Sequence, residues 1–140
     1  MKPETGEWIA KAEGDWRVAR RESRASAPVW GVVCFLAQQC AEKYLKAYLE
    51  EHGIPFRKTH DLVLLAASGG KGLSALELHR ERLAHLTVFG IAARYPGASA
   101  DRRAGQDAMT AAQSVRVLVR SKLTRRGKAN GQRRLFNGKA

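Results

Sequence analysis

A chain of 140 residues has room for one domain and a tail, which excludes a multidomain machine. Its composition, 44% hydrophobic and 27% charged, is that of an ordinary globular protein that folds without disulfides. The 25 Lys and Arg against 13 Asp and Glu give a net charge of +12, so an anionic partner is the first functional idea.

Helical spacing recurs through the body, and no useful run alternates with the period of a strand. The first segment stacks Trp8, Ala12, Trp16 and Ala19 on one face between about Thr5 and Arg24. Ser26-Ala27-Pro28 resets the chain, with Ser26 as N-cap and Pro28 in the first turn of a second helix that runs to Glu51. In that helix Gln39, Glu42, Lys43, Lys46 and Glu50 form one polar stripe, and most of the remaining arc is apolar. One neighbouring helix cannot hide so wide an arc, so the helix is either central in a bundle or shared with a second copy. His52-Gly53 and Pro55 end it. Thr59 caps a short third helix, with Asp61 in its first turn and Leu62 to Leu65 behind. Ser68-Gly69-Gly70-Lys71-Gly72 stops that helix; it follows no strand and lacks the Gly-Lys-Ser/Thr of a phosphate-binding loop. A fourth helix runs from about Ser74 to Arg94, before Pro96-Gly97, and a fifth from about Arg102 to Leu123.

The expected fold is therefore all-α, a short up-and-down bundle of about five helices over residues 1–123. Residues 124–140 hold Arg125, Arg126, Lys128, Arg133, Arg134 and Lys139 with no acid, half of the positive excess, and read as a disordered basic tail. Cys34 and Cys40 stand about 9 Å apart along a helix, too far for a disulfide. Their spacing fits no zinc pattern, and the sequence calls for no metal or cofactor. The longest apolar run, Val29 to Ala37, is nine residues where a membrane span needs about twenty, and no signal-like stretch precedes it. A cytoplasmic protein without membrane contact is expected.

Three segments carry a resemblance: Phe35-Leu36-Ala37-Gln38-Gln39-Cys40-Ala41-Glu42-Lys43-Tyr44-Leu45-Lys46-Ala47, then Lys58-Thr59-His60-Asp61-Leu62, then Leu86-Thr87 with Arg94-Tyr95-Pro96. In this order they resemble the HEPN family (higher eukaryote and prokaryote nucleotide-binding domains) over roughly residues 5–123. The resemblance implies a HEPN-like helical bundle, usually a homodimer, often paired with a minimal nucleotidyltransferase in a toxin–antitoxin-like unit. It also implies metal-independent ribonuclease activity in many relatives. The family's ribonuclease signature is Arg, four to six residues, then His, commonly with Tyr two positions later; Arg80 and His85 match it, and Thr87 stands at the Tyr position.

In such a pair His would move the proton of a 2′-hydroxyl or of the leaving oxygen, while Arg would stabilise phosphate charge. In a straight helix the two side chains point about 140° apart, Arg80 with Leu76, Leu83, Ala84 and Thr87, His85 with Glu81 and Arg82. The alternative is two surface pairs, Arg80 with Glu77 and His85 with Glu81. Further binding candidates are Gln39, Glu42, Lys43 and Lys46, as a solvated stripe or as donors to phosphates and base edges, and His60 beside the third helix. Arg94 and Tyr95 join them at a helix end, by charge and stacking. The function expected is that of a nucleotide- or RNA-interacting partner of a nucleotidyltransferase. The alternatives are an endoribonuclease toxin using Arg80 and His85, and a helical adaptor that docks an acidic protein.

Overall fold

The computed structural model describes the backbone of residues 1–137 and the side chains of residues 1–124. α1, Pro3–Ser23, begins with proline at its first turn and Glu4 beside it, and ends on Arg20 and Arg21, charges that complement the helix dipole at both ends. Its buried stripe is Thr5, Ala12, Trp16 and Ala19, and Trp8 is half-buried with its edge on Phe56. α2, Trp30–Glu51, starts two residues later than the sequence suggests, and Ser26 does not cap it. Val29 is the N-cap residue, and its N–H donates to Glu22 Oε2 at 2.9 Å, so a carboxylate at the end of α1 caps the next helix. The predicted stop holds: Gly53 takes φ 65° immediately after the C-cap His52.

α3, Leu62–Ser68, is capped by Asp61, whose side chain accepts from Leu64 N at 3.1 Å, and not by Thr59. Thr59 Oγ1 instead accepts from the Asp61 N–H. The chain then forms a 3₁₀ helix, Gly70–His79, where the sequence places the start of a regular fourth helix. α4 is consequently shorter than expected, Arg80–Ala92. α5, Arg102–Asn137, continues past the predicted end at Leu123; the side chains of the expected basic tail lie outside the described residues.

α2 is the axle of the bundle, packed by α1, α3, α4 and α5. Most of its wide apolar arc, Val33, Cys34, Ala37, Cys40, Ala41, Tyr44, Leu45 and Leu49, is buried within one chain, while Trp30 and Leu36 stay half-buried, so the arc does not by itself demand a second copy. Val115 and Val119 of α5, Leu83 and Leu86 of α4, Leu62 and Leu65 of α3 and Leu73 and Leu76 of the 3₁₀ segment complete one continuous core. The α2–α4 crossing is close because Gly90 has no side chain; a Cβ there would stand 2.7 Å from Gln38 Cβ and 3.1 Å from the Cys34 carbonyl oxygen. Both cysteines are free and buried, and burial pushes their thiols up to about 11 for Cys34 and about 12 for Cys40. Among the described residues the structure has no strand, and no helix long and apolar enough to cross a membrane.

Candidate functional site

The polar stripe of α2 is not solvated. Glu42 and Lys46 are buried, at 4% and 7% exposure: His60, in the segment between α2 and α3, folds back onto Glu42, and Trp8 of α1 packs against Lys46, its ring centroid 5.6 Å from Nζ. Glu42 gathers three partners: His60 Nδ1 at 2.7 Å, Gln38 Nε2 at 3.2 Å and Lys46 Nζ at 3.0 Å. Burial alone would raise its pKa, but the hydrogen bonds from His60, Lys46 and Gln38 outweigh it and hold the carboxyl below its ordinary value. Gln38 also donates to the His60 carbonyl at 3.0 Å and accepts from Gln39 Nε2 at 2.8 Å. Nearby, Thr87 Oγ1 accepts from Leu62 N at 3.0 Å and donates to the Leu83 carbonyl at 2.8 Å, which ties α3 to α4.

Four of the sequence candidates, Gln39, Glu42, Lys46 and His60, thus come together, with Gln38 as the member that the sequence reading passed over. The signal was present, since Gln38 and Glu42 stand at i, i+4. Gln38 and buried Glu42 hold the loop to the helix through His60, and the His60 ring is the part of this group most open to solvent, its side chain 65% exposed. Lys43, on the same stripe, turns the other way and pairs with Asp15 of α1 at 2.6 Å.

Arg80 and His85 stay apart, as helical geometry requires. Arg80 opens α4, ion-pairs with Glu77 at 3.7 Å, and borders a groove of about 350 Å³ with Leu76 and Leu83. His85 faces a different groove of about 430 Å³ between α4 and α5, in which its ring stacks on Phe89 at 5.3 Å with an interplanar angle of 12°. Glu81 and Arg82 of α4 and Arg103 and Asp107 of α5 line the same groove. Rings, guanidiniums and carboxylates in one cleft suit the stacking, phosphate and hydroxyl contacts of a nucleotide. Arg103 and Asp107 were missed by sequence because they join His85 only through the packing of α4 on α5. Beyond the end of α4, Arg94 lies with its guanidinium carbon 4.0 Å from the Phe35 ring centroid and donates to the Tyr95 hydroxyl at 3.0 Å, both side chains being exposed.

A second polar cluster without any local sequence signal joins α1 to α5. Glu13 accepts from Arg116 Nε and Nη2, both at 2.8 Å, and from Arg120 Nη1 at 2.7 Å, while Arg120 Nη1 also lies 3.3 Å from the Tyr44 hydroxyl. The Arg116 hydrogen bonds hold Glu13 down at about 2 against its ordinary 4.5, and Glu13 in turn raises Arg116. Burial pushes Tyr44 up to about 12. Among the described residues, no group of three or more His, Cys, Asp or Glu stands together as a metal site would need.

The bundle and its grooves define a small all-α domain with histidine and arginine set along the outer sides of its fourth helix. The HEPN domain model matches residues 5–122, and the chain belongs to the HEPN family. It is similar to an archaeal HEPN homologue of known crystal structure, with a TM-score of 0.68 and 25% identity over 87% of this chain and 98% of that one. No curated protein matches it.

Proposed function

We propose that this HEPN domain binds a nucleotide or RNA in the α4–α5 groove at His85. In this reading it acts as the homodimeric, cytoplasmic partner of a minimal nucleotidyltransferase in a toxin–antitoxin-like pair. The observation that carries binding over cleavage is the separation of Arg80 and His85 into two grooves, which leaves one chain without an assembled ribonuclease pair. His85, Phe89, Arg82 and Arg103 supply stacking and phosphate contacts in one place. His60, Arg94 and Tyr95 are further exposed contact points for the same ligand class.

The test uses a labelled RNA oligonucleotide with the purified wild type, His85→Ala and Arg103→Ala. Binding weakened at least about tenfold in each variant, with the RNA left intact throughout, is the expected result; each contact then accounts for about 1.4 kcal/mol. Cleavage without metal that both Arg80→Ala and His85→Ala abolish would overturn it in favour of a ribonuclease, with Arg80 of one protomer meeting His85 of the other. Wild-type binding by both groove variants would remove the α4–α5 groove from the reading. Co-purification with a co-expressed minimal nucleotidyltransferase tests the pairing, and sedimentation as a 15.4 kDa species alone would refute the dimer.

A further inference from the structure

The second half of α1 and its C-cap expose Arg17, Arg20, Arg21 and Arg24, at i, i+3, i+4 and i+7, so they share one face over a rise of about 10 Å. α5 faces them with Arg116, and an open groove of about 700 Å³ lies between the two helices. Glu13 is the one carboxylate among the described residues of its lining, and it is already taken up by Arg116 and Arg120. Arg17, Arg20, Arg21 and Arg24 make no ion pair among the described residues.

Arg20 and Arg21 suit the C-terminal end of the α1 dipole, but four like charges at i, i+3, i+4 and i+7 also repel one another, so the helix end does not account for the whole row. Guanidinium forks match phosphate oxygens two by two, and a row of them along an open groove matches a linear polyanion. A protein partner would want an apolar anchor at the centre of its interface. The aromatic side chain of this groove, Trp16, is instead buried in the core at 8% exposure, with Arg116 over its ring at 5.1 Å. What the groove presents is charge without a pocket, which positions a backbone and reads no base.

We propose that the α1–α5 groove is a sequence-independent docking track for the phosphodiester backbone of single-stranded nucleic acid, separate from the α4–α5 groove. It deepens the reading of the domain as RNA-interacting and does not rest on His85. The two grooves use different parts of α5, Arg103 to Ala111 in one and Arg116 in the other, so substitutions can address them one at a time.

The experiment measures the affinity of the full chain for labelled oligouridine and oligodeoxythymidine against salt concentration. It compares the wild type with a variant carrying Arg17→Gln, Arg20→Gln, Arg21→Gln and Arg24→Gln together, and with the double variant Arg17→Gln, Arg21→Gln. Each phosphate contact contributes about −0.7 to the log–log slope for a single strand, so the fourfold variant should flatten it by up to about 3 and the double variant by up to about 1.4. Both oligonucleotides should respond alike, and His85→Ala should leave the slope as it is. A wild-type slope in the arginine variants overturns the track, and it does so without touching the His85 reading if His85→Ala still weakens binding. Loss of polyglutamate binding with RNA binding intact also overturns it, in favour of an acidic protein on this face.

Discussion

Replacing Glu13 by Gln removes the carboxylate that clamps α1 to α5 while keeping its size. Glu13 accepts three charged hydrogen bonds of 2.7 to 2.8 Å, and its side chain is 27% exposed, so solvent screens it only in part. Holding its pKa at about 2 against an ordinary 4.5 corresponds to about 3 kcal/mol of preference for the ionised form in the folded chain. Because the folded value is depressed, this stability is fully present above about pH 4.5 and is lost as the pH falls towards 2. Urea unfolding at pH 7 should therefore find Glu13→Gln less stable by about 2 to 3 kcal/mol, with Arg116 left half-buried beside a neutral amide. Repeated at pH 2.5, the wild type should have fallen most of the way to the variant, so that the gap narrows to about 1 kcal/mol or less. A gap below about 0.5 kcal/mol at pH 7, or one that is the same at both pH values, would refute the reasoning.

Gly90→Ala should destabilise by about 1 to 3 kcal/mol, because the added Cβ meets Gln38 and the Cys34 carbonyl. Gly14→Ala, with nothing within 4 Å, should stabilise by about 0.5 to 1 kcal/mol; thermal melts that rank them the other way would contradict the described crossing of α2 and α4. Glu42→Ala should cost about 3 kcal/mol or more, since Lys46 is left buried without its counter-charge, and Glu42→Gln less. An Ala variant as stable as the wild type would show that the loop is not held by this carboxylate.

The three long helices were legible because their signals are local: the Trp8, Ala12, Trp16 and Ala19 stripe of α1, His52-Gly53 after α2, the alanine and valine stripe of α5. The third helix was placed correctly but its cap was not, since Thr59 and Asp61 are both good caps and only the turn between them decides which one accepts the Leu64 N–H. The 3₁₀ segment was read half as a glycine-rich stop, residues 68–72, and half as the first turns of the fourth helix from about Ser74, because an apolar residue such as Leu76 satisfies either helical period over so short a stretch. For the site, the divergence of Arg80 and His85 followed from 100° per residue alone. The burial of Glu42 did not, because a loop that returns over its own helix leaves no periodic trace. Neither did the pairing of Glu13 with Arg116, 103 residues away along the chain.

The 3₁₀ helix Gly70–His79 sets where α4 begins. A 3₁₀ helix climbs about 2.0 Å and turns 120° per residue, against about 1.5 Å and 100° in an α-helix. Gly70, with φ 59°, turns the chain into the segment, and over residues 71–79 the difference amounts to about 4.5 Å of length and about 180° of rotation. Rewinding the segment as α would drive α4 like a screw, drawing it back by nearly one pitch and swinging His85 to the far side of its own axis. The gauge that keeps His85 opposite Arg103 is therefore the hydrogen-bond step of a neighbouring segment, and an insertion or deletion there would move the groove without altering any residue that lines it.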